Sequence, residues 1–284
     1  MTSLTAFMTN TESYREICLH VKPNEIAISL ITEDNKQLSV VYEAQSDGTN
    51  VVTTSRNQET HENINGDYLK TAVLELRKMV FSCGNFSVHR WNWRLEGPNR
   101  MMFLCYLKEM IKNSGRKLIV KDMELAYCGE QNELMTLLEM FQPKTLKSII
   151  LHHLDRERKV SIQLNKATET EHWKHAERLI LHGFYVDLPI QKYFHFQDVH
   201  LEKETITVED VEEKVRNYLY HEGSHFMFFL KFSSIQRKSI RDYLSKFVAL
   251  NPERPTVKHV KMAGTAGHLA IEITSDLMWL HRYQ

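Results

Sequence analysis

The chain has 284 residues, 42% of them hydrophobic and 25% charged, which places it among globular rather than disordered sequences. Lysine plus arginine match aspartate plus glutamate, 36 against 36, so the basic excess of a dedicated nucleic-acid or anionic-membrane binder is missing. No run reaches the ~18 apolar residues that cross a bilayer, the first residues lack the layout of a signal peptide, and the four cysteines form no C-x-x-C pair. A soluble protein of the cytoplasm or nucleus with reduced thiols is expected.

In chain order, "NEIAISLIT" (24–32) and "QLSVVYEA" (37–44) flank the turn-like "EDNK", and "TNVVTTS" follows "QSDG". These segments predict a small antiparallel meander, with the first strand starting near residue 24. "SRNQETHENING" (55–66) is polar and is expected to be a loop. In "GDYLKTAVLELRKMVF", Leu69, Val73, Leu76 and Val80 recur at helical spacing.

Past residue 85 a short pattern recurs: apolar, two residues, apolar, one residue, apolar. Its copies are Val88-Trp91-Trp93, Val120-Met123-Leu125, Leu146-Ile149-Leu151, Ala176-Leu179-Leu181, Phe196-Val199-Leu201 and Met227-Leu230-Phe232. Helix-like segments such as "NRMMFLCYLKEMIKNS" and "GEQNELMTLLEMFQ" separate most of them. A strand-helix unit has one apolar face that it cannot bury alone, and edge-to-edge stacking buries those faces together.

At the end, "TVKHVKM" and "HLAIEIT" alternate with period two around "AGTAG" and predict a hairpin that would cover the open strand edge; "SDLMWLHRYQ" can add a last strand. The expected fold is therefore α/β: a leucine-rich-repeat-like strand-helix solenoid with an N-terminal β meander and a C-terminal β hairpin. Its parts are 1–84, strands and first helix packed on the same unit; 85–250, the repeats; and 251–284, the cap.

Chemistry is sparse. His172 and His175 in "HWKH" are three apart, with no third or fourth ligand near, so no metal site is expected and surface histidines are the plainer reading. His152 and His153 in "LHHLD" point to opposite faces of a strand. No phosphate loop and no G-x-S-x-G elbow occurs, so neither a cofactor nor a catalytic residue is assigned and a non-enzymatic role is expected. Trp91 and Trp93 share a strand face and fill the core, or alternatively form a stacking platform for RNA bases or an enzyme site with Arg90 and Arg94 beside it. In "ITVEDVEEKVRNYL", Thr207 is a good N-cap with Asp210 at the third helical position.

The stretch "TETEHWKHAERLIL" (168–181) reads as a structural joint. Thr168 and Glu171 fit a capping box, Trp173 and Ala176 fall on one helix face, and a strand follows. The run Glu171-His172-Trp173-Lys174-x-Ala176-Glu177-x-Leu179-x-Leu181 resembles the "E-Q-W-K-x-A-K-x-L-x-I" of the FTH domain, domain of unknown function 38, in the nematode F-box-A family. His172 and Glu177 depart from that pattern. "YFHFQ" (193–197) and "ITVEDVEEKVRNYL" extend the resemblance over about residues 120–240, and "NEIAISL…LSVVYEA" is similar to the region before it.

That resemblance implies the target-binding part of an F-box-type ubiquitin-ligase substrate adaptor. An F-box is a Leu-Pro-led segment, and no Leu-Pro precedes the first expected strand. The expectation is a protein-interaction module acting without an F-box, with an unknown target protein as partner, a Skp-type adaptor only if an F-box is supplied elsewhere, and no membrane or nucleic acid. In a parallel sheet, the residues between the second and third apolar positions face outward. The candidate partner-binding residues are Ile150, His152, Arg178, Ile180, His182, Asp198 and His200. Ile150 and Ile180 are expected side by side and exposed, unless a helix or the meander covers them.

Overall fold

The structure, a computed structural model, describes residues 13–55, 58–82, 87–155, 157–219, 227–235, 242–243, 248–249, 257–261, 268–274 and 277–283. The meander is present as β2 (Glu25–Thr32), β3 (Gln37–Gln45) and β4 (Gly48–Ser55), successively antiparallel. Two strands not anticipated from the sequence flank it. β1 (Ser13–Lys22) precedes the expected first strand, and β5 (Gln58–Ile64) occupies the expected loop of 55–66. β5 is an edge strand exposed along nearly its whole length, so neither of its faces selects apolar residues. Helix α1 (Tyr68–Ser82) buries Leu69, Val73 and Leu76 and contacts β2, β3 and β4; the Val80 side chain lies outside the described residues.

The repeat region follows as β6 (Ser87–Leu95), α2 (Arg100–Asn113), β7 (Ile119–Tyr127), α3 (Gln131–Met140), β8 (Ser148–His153), β9 (Val160–Ile162), α4 (Asn165–Thr168), α5 (Glu171–His175), β10 (Arg178–Val186), a 3-10 turn at Ile190–Tyr193, β11 (Asp198–Ile206), α6 (Val208–Leu219) and β12 (Met227–Ile235). Strands β1, β6, β7, β8, β10, β11 and β12 are neighbours in that order, and all pair in parallel.

The apolar pattern sets the register. Trp91, Met123, Ile149, Leu179 and Val199 lie side by side, each from the second position of its copy. The sixth copy is corrected by two residues: Val199 pairs with Phe228 and Leu201 with Leu230, and Met227 is 39% exposed. "MFFLKF" is apolar in both strand phases, so the sequence leaves its register open, and the core selects Phe228, Leu230 and Phe232.

The end of the chain adds β13 (Val248–Ala249), β14 (Val257–Lys261), β15 (His268–Ile273) and β16 (Leu277–Tyr283). β14 and β15 are antiparallel as expected for the hairpin; "AGTAG" between them lies outside the described residues. β16 pairs with β12, so the last strand rather than the hairpin covers that edge. The described residues thus form one 16-stranded sheet with a parallel centre and antiparallel flanks. It continues through β1–β6 and β12–β16 across the sequence positions 84 and 250.

Helices and the inward positions of the strands share one core cluster. Trp91 and Trp93 stack at 4.9 Å, with Phe141 6.2 Å from Trp91. Trp173 packs edge-on against Phe196 at 5.1 Å. The first turn of α6 is fixed as read from the sequence: Asp210 N–H donates to Thr207 Oγ1 (3.2 Å) and Thr207 N–H donates to Asp210 Oδ2 (3.1 Å). One glycine shapes the sheet. Gly183 has φ +76°, and a Cβ there would lie 2.9 Å from the Cβ of His153. It separates the part of β10 that pairs with β8 from the part that pairs with β9.

Candidate functional site

The capping box expected at Thr168 and Glu171 is not formed. Thr168 ends α4, and its hydroxyl donates back to Asn165 O at 2.9 Å. Thr170 is the N-cap of α5, accepting from Trp173 N at 3.2 Å. Its extended backbone brings the hydroxyl to the third helical N–H, whereas Thr168 is still helical. Trp173 and Ala176 are both buried, Ala176 in extended backbone after the helix end. The joint is therefore structural.

His172 is a core residue rather than a surface one. It is 6% exposed, its Nε2 donates to the Phe141 carbonyl at 3.1 Å, and burial pulls its pKa down. His175 is exposed, with Nδ1 2.9 Å from Glu171 O. Among the described residues no group of three His, Cys, Asp or Glu could hold a metal ion.

Trp91 and Trp93 are 0% and 2% exposed, so neither offers a ring to a nucleic-acid base. Asn92 and Arg94 alternate with them along β6 and point to the other face. The platform of Trp91 and Trp93 with Arg90 and Arg94 beside it does not exist: the tryptophans and the arginines stand on opposite sides of the sheet.

That other face is the candidate site, because its residues lie outside the shared core cluster. The pairing sets them in three rows. The first runs Glu16, Arg90, Asp122, Ser148, Arg178, Asp198, Met227. The second runs Cys18, Asn92, Glu124, Ile150, Ile180, His200, Phe229, Trp279. The third runs His20, Arg94, Ala126, His152, His182. All seven candidate partner-binding residues stand in this array, and Ile150 is directly beside Ile180.

The exposure of the two isoleucines differs, which corrects the expected exposed pair. Ile150 is half-buried, and Ile180 is 6% exposed. Ile180 nonetheless stays outside the core cluster. Its neighbours are Ile150 and His200 across the strands, with Arg178 and His182 along its own strand. Arg178 Nε is 2.9 Å from Asp198 Oδ2, and His200 Nε2 is 3.2 Å from Asp198 Oδ1. These paired polar side chains flank the isoleucine on the face.

Rings stack on this face, across strands for His152 and His182 at 5.1 Å and His200 and Phe229 at 5.2 Å, and along β16 for Trp279 and His281 at 5.3 Å. Burial, then the neighbouring His152 and His200, lowers the pKa of His182. Burial alone would raise the Asp198 pKa, but His200 and Arg178 hold it below the usual carboxylate value.

A groove not anticipated from the sequence lies at the β1–β6–β7 end of the face, with a volume of about 410 Å³. Small outward residues, Cys18, Ala27, Ser29 and Ala126, leave it sunken between Asn92, Arg94, Glu124, His20 and His152. Those small residues at strand positions of one parity are the signal that could have found it. Glu124 Oε1 is 3.0 Å from His152 Nε2, and this close contact, working against burial, lowers the carboxyl pKa with help from Arg90. Burial pushes the Cys18 thiol up to about 11, so it is a neutral thiol and no nucleophile.

A family model described as the FTH domain matches residues 102–247. The chain is similar to F-box A protein 224 of Caenorhabditis elegans, 25% identical over 151 residues, which is 52% of this chain and 36% of that protein. The chain therefore covers well under two thirds of that relative's length. No solved structure matches. No helix of the described residues is long and apolar enough to cross a membrane.

Proposed function

The chain belongs to the FTH domain family, and from that premise we propose that it is a non-enzymatic protein-interaction module that captures a target protein on the face of its sheet opposite the shared core. The observation that carries this reading is the face itself. It sets half-buried Ile150 and the stacked rings of His152, His182, His200 and Phe229 among mutually paired charges. Apolar and aromatic groups inside a polar rim are the composition of a protein interface. The one-way order of the parallel strands supports reading the repeats as a leucine-rich-repeat-like solenoid, an architecture whose extended faces bind partners.

The similar C. elegans protein is named for an F-box. With an F-box supplied elsewhere, the module serves as the target-binding part of a ubiquitin-ligase adaptor docked to a Skp-type protein; without one it is a free-standing binder. Affinity purification with mass spectrometry separates the two by asking whether Skp and cullin subunits co-purify with the target. The face is tested in the same experiment. Ile150→Asp is expected to abolish target capture with an unchanged melting temperature, whereas Leu74→Asp, at a residue of α1 that is 53% exposed, leaves capture intact. Capture that survives Ile150→Asp and is lost in Leu74→Asp moves the interface to the helices and rejects this reading.

A further inference from the structure

A second depression lies on the helix side of the sheet, between the C-terminal ends of α2 and α3 and the turn that leads into β7, with a volume of about 300 Å³. None of its lining residues stands in the three rows of the outer face. Five charged side chains line it, and four of them are cations: Lys108, Lys112, Arg116 and Lys117, against Glu139. Lys112, Arg116 and Lys117 are exposed, so their charged ends can be reached from solvent. Ile111 and Met140, 3% and 1% exposed, close the floor.

The backbone holds these cations together. Gly115, at φ +68°, turns the chain at the end of α2, and nothing lies within 4 Å of where its Cβ would sit. Ser114 Oγ donates to Ile111 O at 2.6 Å and accepts from the Arg116 N–H at 3.2 Å. Leu118 N–H donates to Met140 O at 3.0 Å, and Gln142 N–H donates to Leu118 O at 2.8 Å. Arg116 and Lys117 therefore sit on a segment tied to the end of α2 on one side and to the end of α3 on the other. Lys108 is matched by Glu139 across the two helices. Lys112 and Lys117 have no carboxylate at ion-pair distance among the described residues. A helix C-terminus carries about half a negative charge, so the two that meet here offset about one of the three charges of Lys112, Arg116 and Lys117. About two positive charges are left.

We propose that this pocket binds a phosphate monoester, its phosphoryl group held jointly by Lys112, Arg116 and Lys117. The charge that is left matches the ~1.5 to 2 negative charges such a group carries near neutral pH, and its three terminal oxygens can each meet one of the three cations. The Arg116 guanidinium can take two of them in a fork, while the ammonium groups act as point charges on flexible stems. A carboxylate, with one charge and two oxygens, leaves part of the set unmatched. The backbone ties described above keep Arg116 and Lys117 beside the end of α2 before any ligand arrives, which lowers the cost of ordering them. A phosphorylated side chain of a polypeptide and a small phosphate ester present the same group. The site stands apart from target capture on the outer face.

The test titrates the full chain with methyl phosphate, acetyl-Gly-phosphoserine-Gly-amide and acetyl-Gly-Glu-Gly-amide, followed by two-dimensional NMR. Both phosphate esters are expected to shift the backbone amides of Gly115 and Lys117 and to leave that of Ala126, on the outer face, in place. The glutamate peptide should bind about tenfold more weakly. Tighter binding of the phosphoserine peptide assigns the group to a protein side chain, and tighter binding of methyl phosphate assigns it to a small molecule; each supports the site. Lys117→Gln should weaken the phosphate esters about threefold and Arg116→Gln with Lys117→Gln about tenfold, whereas Lys166→Gln, beside the opposite end of α3, should change nothing. No shift at Gly115 and Lys117, equal binding of the glutamate peptide, or equal weakening by Lys166→Gln overturns the proposal. Should the double variant fail to fold, the contrast between phosphate and carboxylate on the unaltered chain still decides. Ile150→Asp should leave phosphate binding unchanged, so this site and the face reading can fail separately.

Discussion

Along β10 a single strand meets two kinds of burial. Leu179 and Leu181 point inward and join a core shared with the helices, while Ile180 between them is buried without touching that core. On the inner side, each leucine belongs to the core that the helices share. On the outer side, the isoleucine's neighbours are side chains held by ion pairs and ring stacking, such as Arg178–Asp198 and His152–His182. Surface side chains can change rotamer when a partner arrives, whereas a packed core cannot rearrange without cost. Burial alone therefore does not distinguish core from interface; membership of the shared core does.

Substitutions on each side break or sharpen this contrast. Trp91→Ala removes a fully buried indole from the helix side and should cost about 3–5 kcal/mol in urea unfolding. Ile180→Ala should cost about 2 kcal/mol, the low end for a buried aliphatic residue, because the side chains above it can settle into the space. A loss for Ile180→Ala as large as that for Trp91→Ala would erase the distinction between the two faces.

Lys214 probes the inner side by pH. Its ammonium lies 4.5 Å and 4.1 Å from the ring centres of Phe194 and Phe228, and burial holds its pKa well below the usual lysine value. Between that lowered value and the unfolded one near 10.4 the unfolded chain binds the extra proton, so this group makes stability rise with pH. The contribution is at most about 1.4 kcal/mol per pH unit. Lys214→Met should flatten that slope when urea midpoints are compared across pH. Smallest of all, Ile150→Ser on the outer side should change stability by less than about 0.5 kcal/mol while still weakening target capture. A large stability loss there would make Ile150 core.

The repeat pattern was legible in sequence because one strand phase is apolar in the first five copies, and Trp91, Met123, Ile149, Leu179 and Val199 line up as their spacing implies. Where both phases are apolar, as in "MFFLKF", the register needs the core to choose. Where neither is, as in β5, the strand is invisible to a pattern reading. "TETEHW" offers two threonines two residues apart, and only backbone conformation tells that Thr170 rather than Thr168 caps α5. The candidate face was legible as a row of outward positions, since strand alternation fixes direction. The burial of Ile180 was not, because it depends on side chains from neighbouring strands, among them His200 beside it and the Arg178–Asp198 pair next to it, coming together only in the fold. The groove depends in the same way on small residues from β1, β2 and β7 becoming neighbours.

β1 has a consequence for the order in which the chain folds. It pairs antiparallel with β2, which follows almost at once, and parallel with β6, which lies beyond the whole meander and α1. The hairpins from β1 to β5 can close locally and early, but the β1–β6 ladder must wait until a long loop is closed. Until then the parallel edge of β1 stands open, and the meander and the repeats are joined only by backbone. Joining them is the slow step expected of this topology, and a lesion in β1 such as Ile17→Pro should slow refolding of the repeats that lie far from it in sequence.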